Sequence, residues 1–161
     1  MKKQLLFTEI PPAKPPTNEV DLRLPDDLNI EQKLILKKII ATRDYFLLWG
    51  PPGTGKTSIM LRSLGQYMIQ HTGDHLLFMA YTNRAVDEIC DALLSAGLDF
   101  LRIGSRHTSQ KKFWKYFLDE QAGSIERRSE FRNLIASNRI IVGTLSSING
   151  KSELFTLKRF D

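Results

Sequence analysis

The chain has 161 residues, 23 Lys and Arg against 18 Asp and Glu, and a formal net charge of +5. Its apolar content supports a buried core of about one domain, and its single cysteine, Cys90, excludes an internal disulfide and suits a reducing compartment. Neither a signal-peptide pattern nor an apolar run of membrane-spanning length occurs, so the expectation is a soluble, intracellular protein, cytoplasmic or, in a eukaryote, nuclear, whose charge favours a polyanionic partner.

Residues 1–27 are interrupted by Pro11-Pro12, Pro15-Pro16 and Pro25, which forbid regular helix or inner strand. They are expected to form a linker or arm, with Leu5-Leu6-Phe7 as a short strand. A helix follows Asp27-Leu28-Asn29. Asn29 is its expected N-cap and Gln32, at the third helical position, can close a capping box. Leu34, Ile35, Lys38 and Ile39 continue at helical spacing. A Gln amide can also donate to and accept from the edge of adenine, but the residues alone favour the cap.

The apolar run Phe46-Leu47-Leu48-Trp49 predicts a buried parallel strand over 45–49. It leads directly into Gly50-Pro51-Pro52-Gly53-Thr54-Gly55-Lys56-Thr57, the phosphate-binding loop pattern between a strand and a helix. Small residues let the backbone wrap closely, so that N–H groups face phosphate oxygens, and the helix start adds positive potential. The expected nucleotide site runs from Gly50 to Ser58. Lys56 supplies a point charge to the phosphates and the Thr57 hydroxyl is the candidate Mg²⁺ ligand. The alternative is a glycine-rich turn that holds nothing.

A helix over 57–70 is predicted with Ile59, Met60, Leu64, Tyr67 and Met68 as its apolar face. Residues 76–80 form a second buried strand, and a third helix runs over 84–96 until Gly97 stops it, with Ala85, Ile89, Leu93 and Leu94 facing the core. A short strand over 99–103 completes a βαβαβ rhythm, which demands right-handed crossovers and a parallel sheet with helices on both faces. In such a sheet ligands sit beyond the strand C-termini. Thr82, Asn83 and Arg84 fall there, as do Gly104-Ser105-Arg106, and these groups suit a phosphate backbone. Thr82 or Asn83 can equally cap the third helix.

Residues 107–136 alternate basic and aromatic positions, and two helices joined near Gly123-Ser124 are expected as an insertion. Trp114 and Tyr116 are read as a packing face with the lysines as its solvated rim, in preference to a base-stacking platform. A strand over 139–143 ends in Thr144-Leu145-Ser146-Ser147, again on the ligand side. After Gly150, Leu154, Phe155, Leu157 and Phe160 want cover. No apolar strand ends in Asp-Glu, the acidic element that holds Mg²⁺ and activates water in ATPases of this type. Phe113-Trp114-Lys115-Tyr116-Phe117-Leu118-Asp119-Glu120 imitates one, but its spacing suits an amphipathic helix. Asp87-Glu88 and Asp74 follow no suitable strand end.

In order and spacing, Leu28-Asn29-x-x-Gln32, the loop at 50–57, Ala80-Tyr81-Thr82-Asn83-Arg84-Ala85-Val86-Asp87-Glu88-Ile89, Arg102-Ile103-Gly104 and Val142-Gly143-Thr144-Leu145-Ser146-Ser147 resemble superfamily 1B helicases. That branch contains the nonsense-mediated-decay helicases and the replication helicase-nucleases. The resemblance implies an incomplete RecA-like P-loop domain over 28–161, with a helical insertion at about 105–136 and an ending before the Walker B strand. It implies ATP and Mg²⁺ as cofactors and Gln32 as the adenine-reading residue. Single-stranded DNA or RNA is the implied partner, gripped by Thr82, Asn83, Arg84, Thr144 and Ser146. It also implies a second RecA-like domain as partner, so that this chain alone would not unwind nucleic acid. Two other functions remain open: a stand-alone degenerate P-loop binding module, and an AAA-type remodelling ATPase, which would need Walker B and sensor residues not found here.

Overall fold

A computed structural model describes residues 27–42, 45–51, 53–123, 125 and 127–160. The arm expected before Asp27, with its short strand, lies outside them, as does Pro52. The chain divides into two compact units between Thr54 and Gly55, a point inside the 50–57 bend.

In the first unit, helix α1 spans Ile30–Ala41 and opens with the expected capping box. Asn29 Oδ1 accepts the Gln32 N–H at 2.8 Å, and Gln32 Oε1 accepts the Asn29 N–H at 3.1 Å. Leu28 and Leu36 are buried, whereas Ile30 and Leu34 are exposed. The strand expected over 45–49 is not formed. A strand exists only where a ladder is made, and residues 45–49 run without regular structure.

The second unit is built on a parallel sheet of β1 (Leu76–Ala80), β2 (Leu101–Ile103) and β3 (Ile140–Thr144), in the order β1-β3-β2. Every residue of the central strand β3 is buried. Its side chains alternate between two apolar clusters, as a strand covered on both faces requires. Ile140 and Val142 join Phe100, Phe113, Phe117 and the inner face of helix α3 (Asn83–Ser95). Ile141 joins Leu101, Ile103 and residues of the later helices α5 (Arg128–Ser137), α6 (Leu145–Asn149) and α7 (Leu154–Leu157). Gly143 is required by space: a Cβ there would meet Ile148 Cδ1 at 3.0 Å and the Ile103 carbonyl oxygen at 3.1 Å. This is the parallel α/β architecture expected from the alternation of elements.

The helix after the bend differs from expectation in its winding. Lys56–Leu61 forms wide π-type turns, with Gly55 O accepting from both Ile59 N at 2.9 Å and Met60 N at 3.0 Å. Regular helix α2 follows over Arg62–His71. The extra residue per wide turn rotates the register. Met60, Ser63 and Gly65 are buried, and of the half-buried residues Leu61, Met68 and Ile69 pack against the first apolar cluster, with Leu64 and Tyr67 half-buried beside them. Helix α3 ends where Gly97 predicts, in a Schellman turn: Leu98 N donates to Leu93 O and Gly97 N to Leu94 O, both at 3.0 Å, with Gly97 at φ 67°.

The 107–136 segment holds two 3-10 pieces, Arg106–Thr108 and Lys111–Tyr116, before helices α4 (Leu118–Ala122) and α5. The first expected helix is interrupted because Phe117 is extended and bridges Arg102 in parallel. Phe113 and Phe117 are buried and Tyr116 stacks on Phe100 at 4.6 Å, so the aromatics do serve as a packing face. Ser124, in the expected joining turn, lies outside the described residues. In the tail, Leu154 is covered but Phe155 and Leu157 remain partly in water.

Candidate nucleotide and nucleic-acid sites

In the 50–57 bend, Gly53 and Gly55 adopt left-handed backbone, at φ 81° and 78°. A side chain would strain either position. Around Gly53 a Cβ would meet nothing within 4 Å, so the turn geometry and not crowding demands glycine, and the space beside the main chain is open. Thr54 Oγ1 donates to Pro51 O at 2.9 Å and tightens the turn. Lys56, Thr57 and Ser58 then occupy the first turn after Gly55; Lys56 and Thr57 are half-buried and Ser58 is exposed. Gln32 sits in the capping box of α1, the arrangement that its local sequence favours.

The strand-gripping candidates converge in the second unit. Strand register sets Ala80 beside Thr144 and Ile103 beside Gly143, which brings the residues following all three strands to one sheet edge. Two of these junctions are built alike. Thr82 caps α3, its Oγ1 accepting Ala85 N–H at 3.2 Å, and Thr144 caps α6, its Oγ1 accepting Ser147 N–H at 3.1 Å. The Thr144 hydroxyl also lies 2.7 Å from Ser147 Oγ and is buried. Exposed groups at this edge come instead from Thr82, Ser146 and the Arg84 side chain, 93 % exposed and 3.8 Å from Glu88. Asn83 is half-buried in the first turn of α3.

Behind this edge lies a polar cluster that sequence reasoning missed. Asp87 of α3 is paired with Arg102 of β2, and both are buried. Asp87 also accepts from Ser109 Oγ at 2.8 Å and Gln110 N at 3.2 Å. The guanidinium lies 5.6 Å and 4.8 Å from the ring centres of Phe113 and Phe117, and its Nη2 has no hydrogen-bond partner. The signal was present: Asp87 shares a helical stripe with Cys90 and Leu94, and Arg102 stands between Leu101 and Ile103. Cys90 is a core residue, as its context predicts. Burial pushes its thiol up to about 12, against the opposing pull of Arg102.

Each acidic pair considered for a metal has another occupation. Asp87 is held by Arg102, and Asp119 and Glu120 lie in α4 paired with Lys151 and Arg106. Among the described residues, no three His, Cys, Asp or Glu side chains gather as a metal site, and no helix is long and apolar enough to cross a membrane.

A parallel sheet flanked by helices, with an intact phosphate-loop pattern and two left-handed glycines, defines the class as an incomplete P-loop NTPase fold. The chain belongs to the AAA domain family, whose model matches residues 27–125. It is 33 % identical over 135 residues to the DNA replication ATP-dependent helicase/nuclease JHS1 of Arabidopsis thaliana, covering 83 % of this chain and 10 % of that protein. It is 30 % identical over 136 residues to the human DNA replication ATP-dependent helicase/nuclease DNA2, covering 83 % of this chain and 12 % of that protein. A shorter match, 37 % over 78 residues, covers 48 % of this chain and 12 % of the DNA polymerase alpha-associated DNA helicase A of Schizosaccharomyces pombe. The chain thus spans about a tenth of the length of these relatives, and the shared part is the N-terminal motor region of a superfamily 1 helicase.

Proposed function

We propose that this chain is the ATP-binding part of a helicase motor that moves along a single strand, 5′ to 3′ as the resemblance implies, and that it does not unwind nucleic acid by itself. The observation that carries the proposal is the bend at 50–57, whose two left-handed glycines lead Lys56 and Thr57 into the first turn of a helix. With no side chain at Gly53 or Gly55 the bend keeps its main chain uncovered there, which supports the nucleotide reading. Lys56 would neutralise phosphate charge, the Thr57 hydroxyl would hold Mg²⁺, and the 50–55 main chain would orient the polyphosphate. Bound ATP supplies the phosphoryl group that water attacks in line in the whole motor. Gln32 would leave its capping bond to read adenine. Thr82, Asn83, Arg84, Thr144 and Ser146 would hold the sugar-phosphate backbone, with Thr144 acting through its cap.

The named relatives are helicases, which favours this reading over a remodelling ATPase. Calorimetric titration with Mg-ATP tests it: the parent should release binding heat and Lys56→Ala should lose most of it. Equal heats from both proteins would remove the nucleotide site. For the strand, Ser146→Ala and Thr82→Asp should bind a single-stranded oligonucleotide more weakly than the parent at fixed salt, the latter keeping α3 capped while its carboxylate repels phosphate.

A further inference from the structure

Beyond the C-terminal ends of β2 and β3 lies a cavity of about 420 Å³, whose lining includes Gly104, Arg106, Ser147, Lys151, Asp119 and Glu120. Its two cations are both held by carboxylates of the short helix α4. Arg106 pairs with Glu120 and Lys151 Nζ lies 3.1 Å from Asp119 Oδ1. Arg106 is further steadied 5.3 Å above the Trp114 ring. The lining therefore carries two positive and two negative charges that cancel locally. Both cationic side chains are 42 % exposed, so each pair is solvated, screened and weak.

A phosphate offers Arg106 a bidentate acceptor and carries its own charge into the cavity, and it can compete with a carboxylate for the same donors. A base has less to gain, because Phe117, the phenyl ring of the lining, is only 1 % exposed and presents no stacking face. The Ser147 hydroxyl, hydrogen-bonded to Thr144, lies at the wall beside Gly104, where a Cβ would come within 3.1 Å of it. The cavity is therefore continuous with the edge that carries Thr144 and Ser146.

We propose that this cavity is a second phosphate site for the single strand, in which Arg106 and Lys151 bind a backbone phosphate and Glu120 and Asp119 occupy them until the strand displaces the carboxylates. The proposal rests on the nucleic-acid reading given above and deepens it. Glu120 and Asp119 act as internal competitors, so removing their charge strengthens binding, which a merely structural ion pair would not do.

The test is fluorescence anisotropy of a labelled oligothymidylate with the full chain over a salt series, with circular dichroism confirming that each variant is folded. Glu120→Gln and Asp119→Asn should each tighten binding, by about two- to five-fold. Arg106→Gln and Lys151→Gln should each weaken it and reduce the slope of log affinity against log salt by about 0.7. Inorganic phosphate and ATP should compete only at concentrations far above that of the oligonucleotide. If the parent binds and Ser146→Ala weakens it, while changes at 106, 119, 120 and 151 move neither affinity nor slope, this site is overturned and the nucleic-acid reading stands. If neither the parent nor Glu120→Gln binds the strand, both are overturned. If Glu120→Gln takes up inorganic phosphate but not the strand, the assignment to nucleic acid is overturned.

Discussion

Arg102 is among the largest fully buried side chains of the described residues, and its only carboxylate is Asp87. Removing one member of a buried pair leaves a charge without compensation, whereas replacing both with apolar groups of similar volume is often tolerated. Asp87→Ala should therefore destabilise the chain by about 3–5 kcal/mol, and the double replacement Asp87→Leu with Arg102→Met by much less. Urea denaturation of the single and double variants reads the difference directly. At this scale the sequence is informative where a residue type carries its own geometry. Gly97 marked the end of α3, and Asn29 with Gln32 marked the start of α1, because left-handed backbone and side-chain caps are local effects. Asp87 and Arg102 each stand out on an apolar stripe, but their pairing was not legible, since it is a contact fifteen residues apart that the tertiary fold creates.

Two helices of the second unit end on cations supplied from elsewhere in the chain. Arg139 donates to the carbonyls of Met68, Ile69, Thr72 and Asp74, closing the end of α2. Lys158 Nζ donates to Ile135 O and Ala136 O at 3.0 Å and also to Asn138 O, closing α5. Each helix end presents unsatisfied carbonyls and negative partial charge, so a cation answers both. Burial, and then Arg139 nearby, lower the pKa of Lys158 from its ordinary 10.5. The folded chain thus binds fewer protons than the unfolded chain between that lowered value and 10.5, and its stability rises with pH across this window. Lys158→Met should abolish that alkaline rise while weakening the packing of α7, as measured by unfolding at a series of pH values. Neither clamp was legible beforehand, because nothing local distinguishes Arg139 or Lys158 from the other basic residues. The failure at 45–49 has the same origin: apolar periodicity announces a strand, but a strand exists only where a neighbour completes its ladder.

At the scale of the molecule, the alternation of elements sufficed to give a parallel sheet, since the handedness and length of the crossovers leave few other arrangements. It did not give the strand order. Nor could the phosphate-loop pattern reveal that α2 would be preceded by wide turns over Lys56–Leu61. The placement of Thr82, Thr144 and Gly104 at one edge was legible, because parallel strands put all their carboxyl ends on the same side.

The order β1-β3-β2 has a consequence for the birth of the protein. Among the described strands the first two never pair with each other; both pair with the third, which is the last of them to leave the ribosome. The β1–β3 and β2–β3 ladders cannot form until β3 has emerged, and up to then Leu76 and Leu101 lack their strand neighbours. Nascent chains stalled with Ile140 still in the exit tunnel should be cut readily by protease, and those released past Thr144 should resist.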